Sequence, residues 1–158
     1  MGAPGKLSQA MPPHSLGSPA ESENTIIIAE DDSFLRALIC DLLQANGYDV
    51  AAFSGGDAAL QAARELGAKI MITDLIMDEG EGISTIFETR KANPHIRILA
   101  VSANARYLQY AKKIGADCIM KKPIKSRELL AAIKAMQFGH QFDQELEAAA
   151  ETFNSAII

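Results

Sequence analysis

The chain has 158 residues, of which 48% are hydrophobic and 22% charged, with a formal net charge of −5. These values fit one domain of roughly 120 residues plus tails, large enough for a packed core. They exclude a basic nucleic-acid-binding surface as the organising feature, and no run approaches the ~18 apolar residues of a membrane span.

Residues 1–23 hold Pro4, Pro12, Pro13 and Pro19 among Gly and Ser. Such a segment buries too little apolar surface to offset its ordering entropy and reads as a disordered arm. It lacks an apolar signal core, so a cytoplasmic location is expected. Cys40 and Cys118 fall in apolar runs and read as two buried, reduced thiols.

From Thr25 onward, short apolar runs alternate with helical patterns. Strands are expected at 25–29, 49–53, 69–73, 96–101 and 117–120, and helices at 33–46, 56–66, 82–92, 105–114 and 126–138. The first helix carries a stripe of Phe34, Leu35, Leu38, Ile39, Leu42 and Leu43, with Asp32 or Ser33 as its N-cap. Gly47, Gly67, Gly115 and Gly139 suit the left-handed position that ends helices. The third helix stops before Asn93-Pro94. Five strands alternating with five helices predict an α/β fold with a parallel sheet covered on both faces, because parallel strands need right-handed crossovers. The domain is expected over 24–138. Within the remaining 139–158, Phe142, Leu146, Ala149, Ala150, Phe153 and Ile157 recur at helical spacing, predicting a further amphipathic helix. It either packs on its own domain or docks on another chain, which leaves a homodimer as an alternative. No effector domain is expected.

Chemistry concentrates at the strand ends. The first strand breaks into Glu30-Asp31-Asp32, the third ends on Asp74, the fourth is followed by Ser102-Ala103 and the fifth by Lys122-Pro123. Burying a charge costs several kcal/mol unless a partner offsets it, so carboxylates at strand ends are costly to the fold alone. Parallel neighbours would bring these ends to one sheet edge, where open α/β sheets place ligands. Asp32 reads mainly as a helix cap and Lys121 as a solvated charge. His14, His95 and His140 lie in a tail, a turn and a linker, which suits neither a metal cluster nor a histidine phosphorelay site.

In these four elements, in this order, the chain resembles the receiver domain of two-component response regulators in its single-domain form. The resemblance spans about residues 24–138. It implies a flavodoxin-like (βα)5 doubly wound sheet with strand order 2-1-3-4-5, an order that comes with the family and not from spacing. It further implies that Asp74 accepts a phosphoryl group and that Glu30, Asp31, Asp74 and the backbone carbonyl of Ile76 hold Mg²⁺, a cation favouring oxygen ligands at about 2.0–2.1 Å. Lys122 would meet a phosphoryl oxygen, with a cis bond to Pro123, and Ser102 would register the modification by a hydrogen bond. Expected partners are a histidine kinase or histidine phosphotransfer protein and a downstream protein, with neither nucleic acid nor membrane bound directly. Receivers act on themselves, so the chain is not expected to be an enzyme.

Three positions depart from the family pattern. Glu30 replaces a more usual Asp, Asp78 stands where Pro is common, and Ile119 occupies the place of an aromatic residue whose rotation reports phosphorylation. Ile76 cannot orient an attacking water, whereas Asn104 could hold one. Tyr107, Leu108 and Tyr110 are divided between surface and core roles. The competing reading is a phosphorylation-independent adaptor of the same fold. A haloacid-dehalogenase-like phosphatase would need Asp-x-Asp after its first strand, and a dinucleotide-binding domain would need a glycine-rich turn after Ala29; both are missing.

Overall fold

The computed structural model describes residues 24–77 and 81–139. Five strands, β1 (Thr25–Ala29), β2 (Asp49–Phe53), β3 (Ile70–Asp74), β4 (Arg97–Ser102) and β5 (Cys118–Lys121), form one parallel sheet in the order β2-β1-β3-β4-β5. The helices are α1 (Ser33–Ala45), α2 (Gly56–Leu66), α3 (Glu81–Ala92), α4 (Ala105–Lys113) and α5, described over 126–139. This is the expected flavodoxin-like arrangement.

The side-chain alternation of the strands divides the core in two. Ile27, Met71 and Ile98 point to the side covered by α2, α3 and α4, where they meet Ala59, Ala63, Ile86 and Leu108. Ile26, Ile28, Ile72 and Leu99 point to the other side, against Ile39 and Leu43 of α1 and Leu129 and Ile133 of α5. Strands β1 and β3 are buried along their whole length, which explains their unbroken apolar sequence.

Several local expectations need adjustment. Strands β3, β4 and β5 each sit one residue later than expected, which takes Asp74 and Ser102 into the sheet as the last residues of β3 and β4. Phe34 and Leu38 belong to the apolar stripe of α1, yet they are 77% and 55% exposed. The core contact of α1 is narrower than its apolar face. Cys40 and Cys118 are free but only half-buried, since each sits at the margin of the α1–α5 core. Gly47, Gly67 and Gly115 adopt positive φ as expected, whereas α5 continues through Gly139. The N-terminal arm, Asp78 and the C-terminal helix of the sequence reading lie outside the described residues.

Candidate functional site

Sheet register builds the site. Ala29 pairs with Thr73, Asp74 with Val101, and Ser102 with Lys121, so the carboxyl ends of β1, β3, β4 and β5 open on one edge. Just past β1, Glu30 is buried, with Asp31 half-buried beside it. Glu30, Asp31 and Asp74 each offer a carboxylate oxygen within 4.8 Å of the other two. Lys122 reaches in from the end of β5, donating from Nζ to Glu30 Oε2 at 3.1 Å and to Asp74 Oδ2 at 3.0 Å. The Lys122–Pro123 bond is cis.

The backbone holds these carboxylates in place. Glu30 Oε1 accepts the Asp32 N–H at 3.2 Å, and Asp74 Oδ1 accepts the Ile76 N–H at 3.1 Å. Each acid therefore spends one oxygen on its own loop and gives the other to Lys122. Burial first, and the neighbouring Asp74 second, push the Glu30 carboxyl up to about 7, against the opposing pull of Lys122. Burial works against the charged form of Lys122, but the hydrogen bonds and charges of Asp74 and Glu30 outweigh it and raise its pKa above the ordinary lysine value.

Of the residues singled out from sequence, Glu30, Asp31, Asp74 and Lys122 form one contiguous cluster. Ser102 is fully buried at the same edge, where its Oγ accepts the Asn104 N–H at 3.1 Å. Asn104 Oδ1 accepts from the backbone N–H of Arg106 and Tyr107, capping α4, so the oxygen that would hold a water is already engaged. Asp32 is the N-cap of α1, accepting from Leu35 N at 2.9 Å, and Lys121 is exposed. Tyr107 and Tyr110 are exposed while Leu108 is core. Ile119 is half-buried against the α2–α4 core.

Two supporting residues escaped the sequence reading. Arg36 Nη1 donates to the Glu30 carbonyl at 2.8 Å, pinning the turn that presents both acids. Gly82 opens α3 directly against β3, and a methyl there would overlap the Asp74 carbonyl oxygen and Leu75 Cα. The legible signal for Gly82 was a glycine entering a helix a few residues after the strand that ends on Asp74. Arg36 gave no comparable signal, because an arginine on an exposed helix turn is ordinary.

The donor set suits a hard divalent cation: three carboxylates converge, and burial together with the neighbouring Asp74 keeps the Glu30 carboxyl raised even with Lys122 beside it. Glu30, Asp31 and Asp74 are the residues that would hold it.

The family model described as the response regulator receiver domain matches residues 26–134. The Transcriptional regulatory protein CpxR homolog of Haemophilus influenzae is 32% identical over 113 residues, covering 70% of this chain and 49% of that protein. The Escherichia coli regulator ZraR is 32% identical over 126 residues, covering 78% of this chain and 29% of its own length. The chain thus spans half or less of these relatives. Among solved structures, a CheY-like receiver domain protein from Methanospirillum hungatei superposes with a TM-score of 0.73 at 21% identity, covering 77% of this chain and 99% of that one. A receiver domain from Clostridium thermocellum gives 0.71 at 24% identity, covering 75% and 97%. At such identities the solved structures speak for the fold alone. With a family model spanning every strand of the sheet, the chain belongs to the response regulator receiver domain family.

Proposed function

We propose that the chain is a phospho-acceptor of a two-component relay. An Asp74 carboxylate oxygen attacks the phosphorus of a phosphohistidine on a kinase or phosphotransfer protein. The new bond is O–P, the P–N bond breaks, and the imidazole nitrogen leaves with its electron pair and takes a proton. Such a transfer asks the protein for positioning and charge compensation more than for covalent chemistry. The observation that carries this reading is Lys122 Nζ held at 3.1 and 3.0 Å from Glu30 and Asp74 inside a three-carboxylate cluster. Lys122 is placed to exchange its Asp74 contact for a phosphoryl oxygen. Mg²⁺ bound by Glu30, Asp31, Asp74 and the Ile76 carbonyl would neutralise phosphoryl charge.

The reacting groups remain on the chain itself, so the reading is of a signalling switch and not of an enzyme with an external product. Phosphorylation adds about −1.5 to −2 charges, and we assign Ser102 to sense them by giving up its Asn104 contact. No described helix is long and apolar enough to cross a membrane, and a cytoplasmic setting fits a phosphorelay. The longer relatives are named transcriptional regulators; this chain is proposed to act instead through a protein partner.

Ile119 supports a second reading, that of a phosphorylation-independent adaptor. It packs against the core with no ring to rotate. A beryllofluoride phosphate mimic with Mg²⁺ separates the two. The switch reading predicts amide shift changes at Asp74, Ser102 and Lys122 that extend into α4; an unperturbed spectrum refutes phosphate recognition, and changes confined to the pocket favour the adaptor.

A further inference from the structure

Arg36 lies in the first turn of α1, and its own N–H closes that turn on the Asp32 carbonyl at 2.9 Å. Its neighbour Leu35 packs against the α1–α5 side of the core, so the guanidinium is carried on a fixed platform. From there Nη1 reaches back six residues and donates to the Glu30 carbonyl at 2.8 Å, with the Asp31 carbonyl at 3.5 Å. The register of β1 with β2 ends at Ala29 and Phe53, and the Glu30 N–H adds one last bond to the Phe53 carbonyl at 3.0 Å. Arg36 therefore holds the chain at the point where the sheet stops holding it.

We infer that Arg36 is a positioning residue for the cation site: by fixing the Glu30 carbonyl it sets the direction of the Glu30 and Asp31 carboxylates and raises Mg²⁺ affinity. The inference rests on the reading of Glu30, Asp31 and Asp74 as Mg²⁺ ligands. Glu30 is held at its N–H by Phe53, at its carbonyl by Arg36 and at Oε1 by the Asp32 N–H. Of these three contacts, the one from Arg36 fixes the peptide between Glu30 and Asp31, the unit that both acids share. A rotation of that peptide displaces both carboxylates at once. Glu30, one methylene longer than an aspartate, swings its oxygens through the wider arc. Charge and geometry act here with opposite signs. A guanidinium near a cation site repels the cation, so its charge alone would weaken Mg²⁺ binding; Arg36 is only half-buried, and salt screens that repulsion. Groups that orient metal ligands are worth about 10–100-fold in metal affinity. Geometry is the larger effect, and removing Arg36 weakens the site.

Titration of the unphosphorylated full chain with Mg²⁺, followed by amide NMR, tests this on wild type, Arg36→Ala and Arg36→Lys. Lysine keeps the charge and a donor but replaces the planar fork with a point. Affinity is expected to fall about tenfold or more in Arg36→Ala and by less in Arg36→Lys, while amides in β1 and β3 stay protected from exchange in both. Equal affinity in Arg36→Ala overturns the inference, and so does tighter binding, which is what a bare charge predicts. If Arg36→Ala does not fold, Arg36→Lys decides: weaker binding with both strands still protected supports the inference, and wild-type affinity overturns it. A wild type that takes up no Mg²⁺ removes the cation reading itself and the inference with it, whereas a wild type that binds and variants that match it remove the inference alone.

Discussion

Glu30 is only 3% exposed, and burial first, with Asp74 second, raises its carboxyl to about 7. Its folded value of about 7 exceeds the ordinary 4.5, so the metal-free folded chain binds that proton more tightly than the unfolded chain does. The stabilisation from this group is complete below pH 4.5 and is lost as pH rises through about 7. Measured without metal, the stability of wild type should therefore fall relative to Glu30→Gln between pH 5 and 8; parallel profiles would contradict the assignment. Cation binding needs the ionised form, so Mg²⁺ affinity should climb across the same interval. Lys122 carries the opposite prediction. Removing it strands two carboxylates, and Lys122→Ala should lower the stability of the metal-free protein by about 1–3 kcal/mol. The same change removes a competing cation, so Mg²⁺ should bind the variant more tightly than wild type. Denaturation with chelator and with Mg²⁺ reads both effects, and a variant as stable as wild type without metal would contradict the bridging role.

At the scale of elements, three neighbouring acids do different work. Asp32 caps α1 and points away from the carboxylate cluster, whereas Glu30 and Asp31 face into it. Asp32→Ala should cost about 1 kcal/mol, the usual value of a lost N-cap, and leave phosphorylation intact; loss of phosphorylation without loss of stability would reverse the assignment. Gly82 shows how close α3 lies to β3. Its substitution by Ala places a methyl against backbone that cannot yield easily, and Gly82→Ala should cost about 1–3 kcal/mol or more by overpacking. Gly47 resists substitution for a different reason: nothing lies near it, and only its φ of +87° opposes a side chain. Gly47→Ala should cost about 1 kcal/mol, so thermal melts should rank Gly82→Ala below Gly47→Ala; the reverse order would mean that the β3–α3 junction relaxes.

Across the whole molecule, the fold was legible because each level of the sequence agreed with the next. Unbroken apolar runs marked the buried strands, and alternation with helices dictated parallel pairing. The site was legible because polar and charged residues that cost the fold stood at four strand ends. What escaped the sequence were relations between distant segments. The one-residue shift of β3 and β4 is set by pairing with neighbours, Asp74 with Val101 and Ser102 with Lys121, and a polar last residue hides it from hydropathy. The exposure of Phe34 and Leu38 depends on how much of α1 the sheet can cover, which a helical stripe does not encode. Arg36 matters through a backbone carbonyl, an acceptor that leaves no trace in side-chain patterns.

The central claim is that Asp74 takes up phosphate in a pocket poised by Lys122 and charged by Glu30 and Asp31. Intact mass after incubation with acetyl phosphate and Mg²⁺, for wild type and Asp74→Asn, tests it most directly. The account predicts one added phosphoryl group on wild type, none on Asp74→Asn, and loss of the adduct from wild type when Mg²⁺ is chelated beforehand. An unmodified wild type, or an equal gain on Asp74→Asn, would contradict it.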